Sequence, residues 1–298
     1  MVDKKDLRNL YPMIVFVVLI LSTSIYCKFF TELFEPIETA STRPGDFATS
    51  FLRSDRYNSL EIEIDYVSGA HPNETAIEEF VKFIDDKKGG ICSKPNGVKY
   101  QIDDEIPFSD YNVKLVHEKY HYYTQDDISA IEDRYRDKYR HMPKLTLYVL
   151  YLDAPFKYEV QGGIIGSSGS DNDNNYEEEG RILGRAHHAS TIVIFKNESL
   201  YNLTLLNTTK EPPYPEKVEL DRTLIESAVL MHEFGHLLAL VSYDVHEDEE
   251  HSLDCKNVCV MNYHVDHLSD KSPYVVNASW KPVLCKDCLD ELNKLKNG

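Results

Sequence analysis

The sequence predicts a mixed α/β (α+β) fold in which short strands alternate with helices ahead of a long apolar helix. The strands are predicted from short runs rich in β-branched and aromatic residues, and the helices from apolar residues at helical spacing. Such an alternation indicates helices that pack on a sheet. The predicted strands are 60–67, Lys144–Leu152 and Thr191–Phe195, and the predicted helices that precede the apolar helix are 75–88 and 124–140.

Start signals accompany two of the predicted helices. Thr75 and Glu78 have the spacing of a capping box, which would begin the first helix. Asp221 is a suitable N-cap for the apolar helix, because its side chain can accept hydrogen bonds from the first backbone amides. The residues expected on the buried side of this helix are Leu224, Ile225, Ala228, Val229, Met231 and Leu237.

The apolar helix carries the motif His232-Glu233-Phe234-Gly235-His236. Residues four apart on an α-helix lie about 40° apart around its axis, so both imidazoles face the same way. Two imidazoles at this spacing suit one metal ion, and Glu233 is placed to take a proton from a metal-bound water without being a ligand. An ordinary amphipathic helix is the alternative interpretation. The buried side expected above favours the metal site, because it would hold the histidines rigidly.

Beyond the helix, the chain reads Cys255-Lys-Asn-Val-Cys259-Val260-Met261-Asn262-Tyr263 and later Cys285-Lys-Asp-Cys288. This order resembles the metzincin zinc metallopeptidases, most closely the archaemetzincins and related predicted archaeal zinc-dependent proteases. In that family the zinc helix is followed by a paired cysteine, a Met-turn and a final CxxC. The resemblance implies a metzincin-like zincin catalytic domain, with Met261 as the methionine of the Met-turn.

The third zinc ligand departs from the metzincin pattern HExxHxxGxxH, which places its glycine at Ala239 and its last histidine at Ser242. Serine is a poor zinc ligand, so we expect the third ligand in the loop 243–254. The candidates there are His246, His251 and Asp254, with Glu250 as a more distant alternative. His251 is favoured because imidazole is the commoner zinc ligand and related proteases with a longer loop keep a histidine there. A solvated acidic connector is the other interpretation of this loop.

Tyr263 and the late cysteines extend the implied site. Tyr263 stands where some metzincins keep a tyrosine that binds the metal or the oxyanion, although a packing role is an equal alternative. The four cysteines resemble two knuckles that close on a tetrahedral structural zinc, and two disulfides are the alternative in an oxidising compartment. They are Cys255, Cys259, Cys285 and Cys288.

Residues 11–30 predict a membrane anchor. Residues 11–26 are nearly all apolar and follow Lys4, Lys5 and Arg8, which favours a cytoplasmic N-terminus. A cleaved signal peptide is the alternative, but no small-x-small cleavage site is evident. The expected organisation is a cytoplasmic N-terminus at 1–10, a transmembrane anchor at 11–30, a stalk at 31–58 and a metzincin-like domain at 59–298, outside the cell or in a lumen.

Glycosylation sequons agree with an outward-facing domain. Their acceptor residues are Asn73, Asn197, Asn202, Asn207 and Asn277. A net charge of −18 argues against nucleic acid and anionic lipid surfaces as partners. The expected partners are a peptide or protein substrate and, through the anchor, the membrane.

Together these features predict a membrane-anchored zinc endopeptidase with one catalytic and one structural Zn²⁺. Glu233 would act as its general base. The strand 190–195 stands in the family's position for an edge strand that aligns an extended peptide substrate. The alternative function is a catalytically silent, zinc-stabilised binding or adhesion domain. Ser242 favours that alternative, whereas Glu233 argues against it because a structural metal has no use for a general base.

Overall fold

The structure is a computed structural model that describes most of the C-terminal part of the chain. The residues it describes are 43–110, 114–116, 120–156, 182–196, 205–206, 217–218, 221–240, 259–262, 265 and 279–297. All of them belong to one compact unit, Ala40–Gly298. Within these ranges, no helix combines the length and the apolar character needed to span a bilayer. The predicted anchor at 11–30 lies outside the described residues.

Helices and strands alternate along the described chain, as the sequence predicted. The helices are α1 (Ala48–Leu52), α2 (Glu74–Ile84), α3 (Gln125–Tyr135), α4 (Arg222–Leu237) and α5 (Lys286–Asn297), with short 3-10 turns at Asp86–Lys88 and Phe108–Asp110. The strands are β1 (Ser59–Val67), β2 (Val98–Ile106), β3 (Lys114–Val116), β4 (Tyr120–Tyr122), β5 (Lys144–Leu152), β6 (Gly184–His187), β7 (Thr191–Phe195), β8 (Leu205–Leu206) and β9 (Lys217–Val218).

Five of these strands form one sheet in the order β2-β1-β5-β7-β6. Strand β1 pairs in parallel with β2 and β5, and β5 pairs in parallel with β7, whereas β6 runs antiparallel to β7. The prediction of a mixed α/β fold is therefore confirmed. The prediction that 190–195 supplies the edge strand is wrong, because β7 lies between β5 and β6. Strand β6 forms that edge of the described sheet.

Helices cover both faces of the sheet. A Cβ atom added to Gly184 of β6 would overlap Val229 of α4, so α4 packs directly on this strand. His187 lies three residues further along β6 and hydrogen-bonds Ser129 of α3 at 3.2 Å. Because side chains alternate between the faces of a strand, α3 and α4 lie on opposite faces. The all-buried interior of β5 agrees with a strand covered on both sides.

Helices α1 and α2 share the α4 side of the sheet. The Phe234 ring of α4 makes edge-to-face contacts with Phe51 of α1 and Phe80 of α2, at centroid distances of 5.3 Å and 5.7 Å. All three rings are fully buried. Apolar packing of this kind stabilises a domain through the area that it removes from water. The helix that carries both histidines is therefore anchored in the main hydrophobic core.

The start of α2 differs from the prediction. Asn73, not Thr75, is the N-cap residue, and its side chain accepts hydrogen bonds from the amides of Thr75 and Ala76. The predicted capping box of Thr75 and Glu78 is therefore wrong. An asparagine before the first helical residue satisfies the same amides, so the helix begins one residue earlier.

Both predicted helix ends were placed too late. Helix α2 ends at Ile84, where Gly90 approaches so closely that an added Cβ would lie 2.5 Å from the Ile84 carbonyl carbon. Helix α3 ends at Tyr135, where Arg136 adopts an extended conformation and its buried guanidinium donates a hydrogen bond to Ser190 at 2.9 Å as well as contacting Glu132. In both places a contact with residues outside the helix ends the helix, although the helical pattern of apolar residues continues in the sequence.

The folded domain begins before residue 59, so the predicted stalk at 31–58 extends too far. Phe51 and Leu52 of α1 are fully buried in the core. The buried ammonium of Lys94 donates hydrogen bonds to the carbonyls of Ser50, Arg53 and Tyr57. Burial lowers the pKa of Lys94 to about 8. These bonds tie the segment that contains α1 to the rest of the domain.

Candidate metal centre

Helix α4 holds the predicted metal ligands in a buried position. Asp221 caps its start as predicted, because its carboxylate accepts hydrogen bonds from the amides of Thr223 and Leu224 at 3.0 Å and 3.2 Å. Every residue from Ile225 to Leu237 is buried. The side chains of His232 and His236 therefore have little freedom to leave the positions that the helix gives them.

The two imidazoles of this helix converge on one point. The Nε2 atoms of His232 and His236 lie 3.2 Å apart, and the ring planes meet at 81°. Two nitrogens that bind one tetrahedral zinc at about 2.05 Å lie about 3.3 Å apart. The observed separation matches that value, so these two residues fit a shared zinc ion.

A backbone carbonyl orients the first imidazole. Nδ1 of His232 lies 2.8 Å from the carbonyl oxygen of Val260. A carbonyl oxygen only accepts hydrogen bonds, so Nδ1 carries the proton and the lone pair of Nε2 faces His236. Metal-binding histidines are held in this way in many proteins, because the second hydrogen bond fixes both tautomer and ring orientation. The Val260 carbonyl is thus a contact of the candidate site that the sequence motif did not reveal.

Met261 packs against the helix between the two histidines. A Cβ atom added to Gly235 would overlap the sulfur of Met261 and lie 2.9 Å from its Cε atom. Only glycine leaves room for this close approach. The predicted methionine therefore lies directly beside α4, and Gly235 has a packing role.

Helix α4 is followed by a residue in the left-handed conformation. Ala239 has a φ of +58°, in the left-handed region that glycine favours, and its amide bonds the carbonyl of His236 at 3.0 Å. The metzincin pattern places a glycine at this position. The alanine here makes a helix-ending turn at a conformational cost that glycine would avoid.

Glu233 faces the antiparallel edge strand. It is buried, and a Cβ atom added to Gly184 of β6 would lie 3.0 Å from both Cγ and Oε1 of Glu233. The absence of a side chain at Gly184 thus leaves room for the carboxylate. The Glu233 carboxylate therefore lies against an edge strand of the described sheet.

Three of the four predicted cysteine ligands also meet. Cys259, Cys285 and Cys288 bring their sulfurs within 4.8 Å of one another, and the Sγ atoms of Cys259 and Cys288 are 3.8 Å apart. Two thiolates on one tetrahedral zinc at about 2.3 Å lie about 3.8 Å apart, whereas a disulfide would require about 2.05 Å. These three cysteines therefore fit a metal site. Cys255 lies outside the described residues.

The cysteine cluster and the histidine pair share one short segment. The amide of Met261 donates to the sulfur of Cys259, and the amide of Val260 donates to the carbonyl of Val283 at 2.7 Å. The Val260 carbonyl is the acceptor for His232. The segment 259–261 thus links the cysteines to the histidine through adjacent residues.

A further group of possible ligands was missed in the sequence. Glu132 of α3 lies beside His187 and His188, and their donor atoms are all within 4.8 Å of one another. Burial opposes ionisation of Glu132, but His188 and Arg136 outweigh it, so the pKa of its carboxyl falls to about 2. Burial and the neighbouring His188 lower the pKa of His187 to about 3. The adjacent histidines were the only sequence signal, and nothing in the sequence connected them to Glu132.

Several predicted site residues cannot be placed. Those that lie outside the described residues are His246, Glu250, His251, Asp254, Cys255, Tyr263, Asn197, Asn202, Asn207 and Asn277. Asn73 is described and half-buried, and its amide nitrogen donates to Thr223 at 2.9 Å. A glycan on that nitrogen would have to displace the contact with Thr223.

Comparison of the chain with protein-family models, curated proteins and solved structures gave no match.

Proposed function

We propose that this protein is a zinc-dependent endopeptidase of the metzincin type. The observation that carries the proposal is the convergence of His232 and His236, whose Nε2 atoms are separated by the distance expected for one tetrahedral zinc. The carbonyl of Val260 supports it by presenting the lone pair of His232. The Met261 contact with Gly235 and the left-handed Ala239 agree with the same motif.

The proposed chemistry assigns separate roles to the ligands and the carboxylate. When bound, zinc supplies a Lewis acid that polarises a carbonyl and lowers the pKa of a water molecule. His232 and His236 hold the ion, with His251 as the third ligand that we propose. Glu233 accepts the proton of the attacking water and delivers it to the leaving amine. Tyr263 remains the candidate for contact with the metal or the oxyanion.

Strand β6 is the segment best placed to align a substrate. It forms an edge of the described sheet, runs antiparallel to β7, and contacts Glu233 through Gly184. An extended peptide that adds to such an edge is held by main-chain hydrogen bonds. We therefore transfer to β6 the substrate-binding role that the sequence suggested for the strand 190–195.

The proposal also includes a second, structural zinc on Cys259, Cys285 and Cys288, with Cys255 as the fourth ligand. Its support is the 3.8 Å separation of two of the sulfurs. The hydrogen bonds from the amides of Met261 and Cys285 to the Cys259 sulfur suit a thiolate acceptor. An anchor at 11–30 and an outward-facing domain complete the proposal on the basis of the sequence alone.

Replacement of Glu233 by Gln tests the proposed function. We expect the purified protein to retain its zinc, because Glu233 is not a ligand, and to lose peptide hydrolysis by about 10²- to 10⁴-fold. Zinc content and cleavage of a diverse peptide library should be measured on the same preparation, with and without a chelator. If the unmutated, zinc-loaded protein cleaves no peptide, the silent binding domain replaces the peptidase as the better hypothesis.

A further inference from the structure

The cluster of Glu132, His187 and His188 lies on the opposite face of the sheet from the zinc helix. We propose that these three residues bind a divalent transition-metal ion of their own. This site would be separate from the histidine pair on α4 and from the cysteine cluster. Its metal would join α3 to the turn between β6 and β7, so its role would be structural.

The donor atoms already converge on a common point. Oε2 of Glu132 lies 3.1 Å from Nδ1 of His188 and 3.8 Å from Nε2 of His187. Nitrogen and oxygen ligands of one tetrahedral zinc lie about 3.3 Å apart. The observed distances bracket this value, so small side-chain rotations would bring all three donors onto one ion.

The backbone at His188 is arranged to bring both imidazoles together. Consecutive side chains of an extended strand point to opposite faces, so two adjacent histidines would normally point apart. His188 instead has a φ of +49°, and its ring lies 3.8 Å, centroid to centroid, from that of His187. The left-handed region is strained for a residue other than glycine. A ligand held by both rings would explain why a histidine occupies the position.

The surroundings of Glu132 direct one oxygen to the imidazoles. Its Oε1 atom accepts hydrogen bonds from Arg136 and Thr191, both at 2.7 Å. This leaves Oε2 as the oxygen that faces the two histidines. Carboxylate ligands of metals are commonly held through their other oxygen in this way.

The chemistry of the cluster limits which ion it would take. Two imidazoles and one carboxylate select zinc, copper or nickel over magnesium and calcium, which prefer oxygen ligands. The positive charge of Arg136 partly offsets the negative charge of Glu132. We therefore expect the cluster to bind a metal ion more weakly than the cysteine cluster does. The side chain of His188 is 15% exposed, which gives an ion access to an otherwise buried site.

The variant His188→Gly tests the proposal. It removes one ligand and its hydrogen bond to Glu132, and it places glycine where the backbone is left-handed, so relief of backbone strain offsets part of the lost contact. Thermal unfolding without metal checks that the variant is folded. Zinc should be added alone to the full-length protein, and its stoichiometry measured by elemental analysis after dialysis. We expect His188→Gly to bind one zinc fewer, whereas the exposed control His141→Ala should bind the unmutated number.

The experiment separates this site from the peptidase centre. The double variant His232→Ala/His236→Ala should lose a different zinc, and adding His188→Gly to it should remove one more. Unchanged zinc stoichiometry in His188→Gly, in either background, would overturn the proposal and leave only a hydrogen-bonded network. This outcome does not depend on hydrolysis, so it can be told apart from a failure of the proposed function.

Discussion

The two faces of the five-stranded sheet bury different chemistry. On the α4 face, the histidine pair is surrounded by apolar packing, which includes the contacts of Phe234 with Phe51 and Phe80. On the α3 face, a buried network of charged and polar groups lies beside the apolar Ile128 and Ile131, and the guanidinium of Arg136 lies 2.7 Å from the carboxylate of Glu132. Each face therefore holds its histidines rigid by a different kind of interaction.

This difference predicts how much stability a substitution on each face would cost. Apolar packing is broad and tolerates a modest change in shape. A buried ion pair is less tolerant, because removing one partner leaves the other charge in a medium that solvates it poorly. We therefore expect substitutions on the α3 face to cost more stability than substitutions of similar size on the α4 face.

The largest effect is expected from Glu132→Gln. This change leaves the buried Arg136 guanidinium without its carboxylate, at a cost of about 3–5 kcal/mol in the free energy of unfolding. The double variant Glu132→Gln/Arg136→Met should recover part of that loss, because it also removes the buried, unpaired charge of the Arg136 guanidinium. Urea denaturation of the unmutated protein, both single variants and the double variant, in the presence of a chelator, measures these values. A double variant as unstable as the sum of its single variants would contradict this account of the α3 face.

The next largest effect depends on pH and concerns Asp65. Its carboxylate accepts hydrogen bonds from Tyr148 and from the amide of Asp104, and burial raises its pKa from 3.8 to about 7. The folded state therefore keeps a proton that the unfolded chain releases, so this group lowers stability as the pH rises from about 4 to 7.

Asp65→Asn should remove this pH dependence, because asparagine has a similar shape and does not titrate. Relative to the unmutated protein, the variant should gain stability between pH 4.5 and pH 8, by at most about 4 kcal/mol at 1.36 kcal/mol per pKa unit. The exposed Asp133→Asn serves as the matched control. Parallel pH profiles for the unmutated protein and Asp65→Asn would show that the carboxyl does not titrate in this range.

The smallest effect is expected on the apolar face, from Gly235→Ala. The added methyl group would overlap the sulfur of Met261, and overpacking of a core typically costs about 1–3 kcal/mol. In a Met261→Ala background the same substitution should cost less, because the overlapping atoms are gone. Thermal unfolding of the four proteins gives the coupling between the two residues. Additive effects would mean that Met261 does not pack against Gly235.

Much of the fold could be predicted because it depends on local patterns. The strands Lys144–Leu152 and Thr191–Phe195 were predicted with the bounds that they have in the structure. Asp221 was identified as a helix cap because its side chain bonds amides two and three residues away. Such interactions are contained within a few residues, so the sequence displays them directly.

Other features escaped prediction because the sequence did not show which of two competing segments or residues would take the role. The strand 190–195 was assigned to the edge of the sheet, but its neighbour β6 is a short segment with little pattern of its own. The pairing of Thr75 with Glu78 looked favourable, yet Asn73 took the capping role and also bonded Thr223 of α4. In each case a competing interaction was visible only after the chain had folded.

The sequence by itself determined that two imidazoles would share one side of a helix, because helical geometry sets that relation within a single turn. It also placed a carboxylate beside the first imidazole and a methionine downstream. Only the tertiary structure decided that the Val260 carbonyl would orient His232 and that Glu132 would meet His187 and His188. Those contacts join segments that lie 28 residues apart in the first case and more than 50 in the second. Their geometry depends on the packing of the sheet and its helices, which no local pattern encodes.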